Sequence, residues 1–99
     1  MDPDLPDIIV SDVVVSTAGR DQGELFYVVG TDPVYLMLAN GKDRTLDKPK
    51  RKKRKHVEKV LRSETRVADK LRAGDKVLNG ELRRDLAFLA KDASENLGG

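Results

Sequence analysis

The chain has 99 residues, of which 38% are apolar and 36% charged, and it contains four aromatic residues and no cysteine. This length suits one small domain with a thin core, and the lack of cysteine excludes disulfides, zinc–thiolate sites and thiol catalysis. The longest apolar runs are too short to cross a bilayer, and the N-terminus is acidic where a signal peptide would be basic. We therefore expect a soluble, cytoplasmic protein with no membrane partner.

The first third of the chain predicts strands. Residues 1–7 hold two prolines and three aspartates and predict a disordered tail. Strands are predicted at Ile8–Ser16, Glu24–Gly30 and Val34–Ala39, because each segment is rich in β-branched, aromatic or other apolar residues. Between the first two lies the polar segment Thr17–Gly23, which contains two glycines. Glycines at such positions are typical of loops that need a positive φ or a close backbone approach.

The middle of the chain predicts a hairpin and closure of the sheet. Asn40-Gly41 follows the third strand and is the strongest short hairpin signal, because both residues tolerate the positive φ of a type I′ turn. The returning strand is predicted at Lys42–Leu46 and a fifth strand at His56–Arg62. Short strands joined by tight turns favour a small barrel, where closure removes exposed edges. Residues 8–62 are the predicted barrel.

Beyond residue 62 the apolar residues fall at helical spacing. Ser63 or Thr65 is predicted to cap a short helix that ends at Gly74, and Asn79 is predicted to cap a second helix. The second helix carries an apolar stripe made of Leu82, Leu86, Leu89, Ala90 and Ala93. We expect this stripe to pack on the barrel, and the alternative is a helix that binds a partner protein. Residues 63–93 thus form a helical extension, followed by a second disordered tail at 94–99.

One segment concentrates the positive charge. From Lys42 to Arg62 there are eleven Lys or Arg residues against Asp43, Asp47 and Glu58, so the formal net charge of +2 conceals a dipolar chain. Such asymmetry points to a polyanionic partner, for which lysines offer mobile charges and arginines planar forks. The candidate RNA-binding residues are Arg20, Lys42, Arg44, Lys48, Lys50, Arg51, Lys52, Lys53, Arg54, Lys55 and His56. A solvated face, a disordered arm and a nuclear-localisation signal are alternative interpretations of the run.

The glycine segment and its flanking strands resemble a known motif. Val13 to Val29, with Gly19-Arg20-Asp21-Gln22-Gly23 between its strands, looks like the KOW motif of several ribosomal proteins and transcription elongation factors. Together with Asn40-Gly41 and the Lys-Pro-Lys-Arg-Lys that follows, it resembles a family of small bacterial KOW-domain RNA-binding proteins. That family is itself similar to an SH3-like-barrel protein of the archaeal and eukaryotic large ribosomal subunit. The resemblance covers Ser11 to Val60 and implies an SH3-like barrel that binds RNA or the ribosome without catalysis.

Other residues of the motif have structural roles in this interpretation. Gly19, Gly23, Asn40 and Gly41 are expected to serve backbone geometry, and Asp21 is expected to accept hydrogen bonds that order the loop rather than to bind a ligand. The sequence has no metal-ligand spacing, Walker loop or dinucleotide fingerprint, and no serine in a nucleophile-elbow context. We therefore expect no enzyme activity, no metal and no cofactor.

The sequence favours a mainly β protein that binds RNA. We expect ribosomal RNA to be bound through phosphate contacts in a ribosome-associated or translation-related role. The second hypothesis is a non-catalytic adaptor that docks on a ribosomal or transcription-machinery subunit, through the barrel or through the C-terminal helix. The basic run favours RNA, and the few aromatic residues argue against an aromatic cage or a single-strand stacking platform.

Overall fold

The computed structural model describes residues 8–98, and the side chains of residues 8–92. The predicted tail at residues 1–7 lies outside the described residues. Five strands, a 3₁₀ turn and two helices follow in the order β1 (Asp12–Ser16), β2 (Leu25–Thr31), β3 (Tyr35–Ala39), β4 (Lys50–Lys53), the 3₁₀ turn (Arg54–His56), β5 (Val57–Arg62), α1 (Arg66–Ala73) and α2 (Asn79–Gly98). The last helix runs through most of the segment predicted as a second tail. Neither helix of the described chain combines the length and apolar character that a membrane crossing requires.

The five strands form one antiparallel sheet in the order β4-β3-β2-β1-β5. The protein is therefore mainly β, with two helices after the sheet. In the described residues β4 and β5 stand at opposite ends of this order and do not pair, so hydrogen bonds do not close the sheet into a barrel. A flat sheet would set its two edge strands about 19 Å apart. The 3₁₀ turn that joins them advances only about 6 Å, so the sheet is curled.

The sheet has an apolar core on each face. Val13 pairs with Tyr27 and Val14 pairs with Phe26, and strand alternation sends the two pairs to opposite faces. The inner core consists of Ile8, Val14, Phe26, Val28, Leu36, Leu38 and Val57. The outer core consists of Val13, Tyr27, Ala39, Val67, Ala68, Leu82, Leu86 and Leu89. The leucines of the predicted stripe therefore pack on the sheet as expected, whereas the side chain of Ala93 lies outside the described set.

The first strand is shorter than predicted. It begins at Asp12 rather than Ile8, because the chain turns at Ser11, which has a φ of 80°. The Ser11 N–H donates to the Val28 carbonyl at 2.8 Å, and its hydroxyl accepts from Arg72 Nη1 at 2.7 Å. The turn is thereby fixed to both β2 and α1, which explains why an apolar segment before Ser11 does not extend the strand.

The predicted hairpin at Asn40-Gly41 is wrong. Ten residues, 40–49, connect β3 to β4, and the returning strand is Lys50–Lys53 instead of Lys42–Leu46. Gly41 has a φ of 78°, but Asn40 does not take the positive φ that a type I′ turn requires. The Asn-Gly pair therefore begins a long loop rather than a tight turn.

Asn40 and Gly41 shape this loop in different ways. The Asn40 side-chain oxygen accepts from the N–H groups of Lys42 and Arg44, at 2.9 and 3.0 Å, and so folds the loop back on itself. A Cβ on Gly41 would overlap the carbonyl oxygen of Asn79 at the start of α2. Glycine is thus required both for its backbone conformation and for the close approach of the loop to the helix.

The helix ends are partly as predicted. Thr65 caps α1 by accepting from the Ala68 N–H at 3.3 Å, and Gly74 ends it with a φ of 75°. Asn79 does not cap α2, because the helix already includes it and its side-chain oxygen accepts from the Leu46 N–H at 2.8 Å. The asparagine therefore ties the β3–β4 loop to the helix instead of satisfying the helix's own amides.

Candidate nucleic-acid interface

The basic run Lys48–His56 contains β4 (Lys50–Lys53), and two lysines of this strand lie on the inner face of the sheet. Lys50 lies opposite Leu38 and Lys52 opposite Leu36 on the neighbouring strand β3. Both leucines belong to the inner core, and directly paired residues share a face. From this face both ammonium groups reach Asp21 in the loop Thr17–Gly23, which we call the glycine loop.

Asp21 is the centre of an ion cluster. Its two carboxylate oxygens accept separately from Lys50 Nζ, at 2.5 Å, and from Lys52 Nζ, at 2.6 Å. Lys52 also donates to the Ala18 carbonyl at 2.7 Å, and the Ser16 hydroxyl donates to Asp21 at 2.7 Å. The side chain of Lys52 is only 8% exposed and that of Lys50 is 25% exposed. Lys52 is therefore an internal residue, contrary to its expected place on the surface, and Lys50 is only partly accessible.

The charge state of Asp21 follows from its partners. Burial alone would raise the pKa of its carboxyl group, but hydrogen bonds from Lys50, Lys52 and Ser16 outweigh that effect and hold the pKa well below its usual range. Asp21 is thus ionised at neutral pH, and its single negative charge is shared between two of the positive charges of the run. Counting all seven Lys and Arg residues between Lys48 and Lys55 as free cations overestimates what the run presents to a polyanion.

The glycine loop joins the two ends of the curled sheet. Gly19 and Gly23 have φ values of 86° and 90°, the conformation that their spacing predicts. The loop contacts β4 through the ion cluster, and its Thr17 N–H donates to the carbonyl of His56 in the 3₁₀ turn at 2.9 Å. Arg20 is exposed on this loop, so its charge lies on a segment that is fixed against β4.

The other two residues of β4 face outwards. Arg51 lies opposite Met37 and Lys53 opposite Tyr35, and both basic side chains are exposed. The guanidinium carbon of Arg51 lies 3.9 Å from the centroid of the half-buried Tyr35 ring. The helices cover this same outer face near Tyr27, which is fully buried. The outer face thus has one end covered by helices and one open end that is basic.

The second half of the run is a 3₁₀ turn fixed to the turn between β2 and β3. The Arg54 N–H donates to the Val34 carbonyl, and Arg54 Nε donates to the Asp32 carbonyl, both at 2.9 Å. Lys55 is exposed and His56 is half-buried. The run is therefore ordered from Lys50 onwards, and its interpretation as a disordered arm is wrong.

The remaining candidate residues lie in the β3–β4 loop. Lys42, Arg44 and Lys48 are exposed there. The Arg44 carbonyl accepts from the N–H groups of Asn40 and Gly41. Because Gly41 lies against Asn79, these hydrogen bonds hold this part of the loop beside the start of α2. The structure thus brings the glycine loop against β4 and the 3₁₀ turn, while it places Lys42 and Arg44 beside the helix.

Sequence reasoning missed Tyr35. Tyr35 and Arg51 are 16 residues apart in the sequence, and no motif links them. The pairing of β3 with β4 brings them together, and it could be anticipated only with the correct position of β4. Asp21 was identified as a hydrogen-bond acceptor, but nothing local to it indicated that lysines of the run would be its partners.

A second polar cluster joins the sheet to the helices. The Tyr27 hydroxyl contacts Asp85 and the Ser63 hydroxyl, the latter at 2.8 Å, and Thr65 donates to Asp85 at 2.8 Å. Burial and the hydrogen bond to Asp85 raise the pKa of Tyr27 to about 12. The phenol therefore remains protonated at neutral pH and acts as a donor that fastens α2 to β2, rather than as a nucleophile. Among the described residues, no cluster of His, Cys, Asp or Glu could hold a metal ion.

Comparison with protein families and with curated proteins adds no relative. No protein-family model matches the chain, and no curated protein matches it. The likeness to KOW-domain proteins therefore depends on the residues of the motif themselves.

Proposed function

We propose that this protein binds RNA through phosphate contacts on an exposed basic surface. The surface consists of Arg51, Lys53, Lys55 and Arg20. The observation that carries the proposal is that the basic run is an ordered strand and turn whose outward side chains are free of the ion cluster. Charges on a rigid backbone lose less conformational freedom on binding than charges on a mobile arm. RNA duplexes present phosphates and 2′-hydroxyls to such surfaces, because their base edges lie in a deep, narrow groove.

The strand order also supports a finer assignment of the fold. We assign the sheet to a partly open SH3-like barrel of the KOW type, in which β4 and β5 are the open edges. The 3₁₀ turn between these strands and the glycine loop between β1 and β2 support this assignment. In this partly open barrel, the ion pairs of Lys50 and Lys52 with Asp21 link the edge strand β4 to the glycine loop. The resemblance to KOW-domain proteins suggests ribosomal RNA as the target, in a ribosome-associated or translation-related role without catalysis.

The adaptor hypothesis has less support. Its proposed docking stripe on α2 included Leu82, Leu86 and Leu89, and all three are buried in the outer core. Phe88 on the same helix is 62% exposed, but one exposed side chain does not make a docking surface.

The decisive experiment compares two charge-matched triple variants. The test variant is Arg51→Gln with Lys53→Gln and Lys55→Gln, and the control is Arg66→Gln with Lys76→Gln and Lys91→Gln, which are exposed on the helical part. Binding of the full chain to a fluorescent ribosomal RNA hairpin is measured by anisotropy across a salt series. We expect the test variant to lower the slope of log K against log salt by about 2, and the control to lower it much less.

Two results would overturn the proposal. One is a wild-type affinity that does not change with salt, because phosphate binding releases counterions. The other is an equal loss of affinity in both triple variants, which would mean that net charge rather than this surface determines binding. Sedimentation of lysate at low and high salt tests the ribosomal context, since the wild type should leave the ribosomal fraction when salt is raised.

A further inference from the structure

We infer that Tyr35 and Arg51 form a stacking site for one unpaired RNA base, next to the lysines that contact phosphates. The inference rests on the proposed function and deepens it, because it names the kind of RNA. The preferred RNA is a duplex with a bulged or flipped-out nucleotide, rather than a perfect duplex or a long single strand.

The geometry of the pair favours stacking. Arg51 and Tyr35 lie on neighbouring strands, and the guanidinium carbon is 3.9 Å from the ring centroid. The ring is half-buried on the sheet, so it is a fixed support for the guanidinium group. A guanidinium is planar and weakly hydrated, and a second flat group can stack on the face that it does not use for the ring. Because Arg51 is exposed, that second face is accessible to a base.

The charges around Arg51 also favour stacking over a simple phosphate contact. The carboxylate of Asp32 accepts from the N–H groups of Tyr35 and Val34, at 2.7 and 2.8 Å, and is thereby fixed beside the stack. These backbone hydrogen bonds, together with the nearby charges of Arg51 and Arg54, lower the pKa of Asp32. The negative charge of Asp32 offsets part of the positive potential at Arg51, which weakens its attraction for a phosphate. It leaves the flat face of the Arg51 guanidinium group open for stacking.

The neighbouring residue Lys53 completes the site. Lys53 lies opposite Tyr35 on β4 and shares the open outer face, so its charge is available to the phosphate of the same nucleotide.

The site selects an unpaired base because of how RNA presents its faces. Bases inside a duplex are stacked on both sides and have no free face, whereas a bulged base can stack on an aromatic ring or a guanidinium plane. A single supported guanidinium accommodates a single base. This differs from a platform of several aromatic rings along a single strand, which the aromatic content does not allow.

The test uses three RNA hairpins with the same stem: fully paired, with one bulged adenosine, and with an abasic bulge. The abasic bulge keeps the backbone distortion but has no base. We expect wild-type protein to bind the adenosine bulge about tenfold more tightly than the abasic bulge, the size of one stacking contact. Binding is measured by anisotropy at moderate salt, with the fully paired hairpin as the reference for phosphate contacts.

Three protein variants separate stacking from charge. Arg51→Lys keeps the charge but loses the planar group, so it should reduce the preference for the adenosine bulge to less than about twofold while binding to the paired hairpin stays the same. Lys53→Gln removes a neighbouring charge and should weaken binding to all three hairpins equally. Tyr35→Leu should behave like Arg51→Lys, with circular dichroism as the check on folding; Arg51→Lys, at an exposed position, decides the matter if Tyr35→Leu does not fold.

The outcomes distinguish this inference from the function on which it rests. Equal binding of wild-type protein to the adenosine and abasic bulges would overturn the stacking site and leave phosphate binding intact. An unchanged preference in Arg51→Lys would also overturn it. Failure to bind any of the three hairpins would overturn the proposed RNA binding itself.

Discussion

The inner and outer residues of β4 have the same charge but different surroundings. Lys50 and Lys52 on the inner side donate to one carboxylate, that of Asp21, whereas Arg51 and Lys53 on the outer side are exposed. Strand alternation alone divides the four residues, since neighbours on a strand point to opposite faces. The number of charges in a basic run is therefore a poor measure of its capacity to bind a polyanion.

The largest expected difference is between Lys52 and Lys53. Lys52→Met should lower the free energy of unfolding by about 3 kcal/mol, because Asp21 would remain buried with one of its two cations gone. Lys53→Met removes an exposed charge and should change the free energy of unfolding by less than about 0.5 kcal/mol. Urea unfolding followed by circular dichroism measures both. Equal effects of the two substitutions would contradict the division of β4 into an inner and an outer side.

The dependence of stability on pH sharpens the same comparison. The pKa of Asp21 in the folded protein lies below its ordinary value of 3.8. The contribution of the Asp21 carboxylate to the free energy of unfolding is therefore fully present above pH 3.8, and it is lost as the pH falls towards the folded-state pKa. Asp21→Asn should therefore be less stable than wild type by about 2 kcal/mol at neutral pH, and the difference should narrow in acid.

Urea unfolding at a series of pH values provides the measurement for Asp21, with Asp92→Asn as an exposed control on α2. The control should follow the wild-type curve. A constant difference between Asp21→Asn and wild type down to the lowest pH would mean that the carboxylate charge is not what holds the two lysines.

A pair of tyrosines extends the comparison to the outer face. Tyr27→Phe should lower the free energy of unfolding by about 1.5 kcal/mol, because the carboxylate of Asp85 loses a buried donor. Tyr35→Phe keeps the ring under Arg51 and should change the free energy of unfolding by less than about 0.5 kcal/mol. Thermal unfolding compares the two. If Tyr35→Phe is the more damaging, the open end of the outer face is more constrained than its exposure indicates.

The smallest expected effect concerns the contact between Arg51 and Tyr35 in the absence of RNA. An exposed cation–π pair contributes about 0.5–1 kcal/mol, so a double-mutant cycle with Arg51→Lys and Tyr35→Leu should give a coupling energy near the lower end of that range. The cycle is measured by urea unfolding. A coupling energy of zero would show that the pair is not formed in solution.

Much of the fold could be predicted from local pattern. The positions of β2, β3 and β5, the cap at Thr65 and the helix end at Gly74 follow from strand and helix signals within a few residues. The position of β4 could not be predicted, because Asn40-Gly41 is a strong local signal for a tight turn. A contact with Asn79, far along the chain, determines the loop instead.

The error in β4 also explains what was missed at the site. The basic segment was identified correctly as a feature of the sequence, but the face of each side chain depends on where the strand begins. A shift of one residue would exchange Lys52 with Arg51 between the inner and outer sides. The partner of Lys52 is 31 residues away in sequence, so no short pattern could indicate that it would be buried.

The contact of Gly41 with α2 has a consequence for the order in which the protein is completed during synthesis. The loop that leads into β4 is held by Asn79, which accepts from Leu46 and lies against Gly41. These contacts form only after the start of α2 has left the ribosome, although β4 itself is made almost thirty residues earlier. A nascent chain that stops at Arg62 would contain the whole basic run and all five strands, yet it would lack the anchor that fixes the loop before β4.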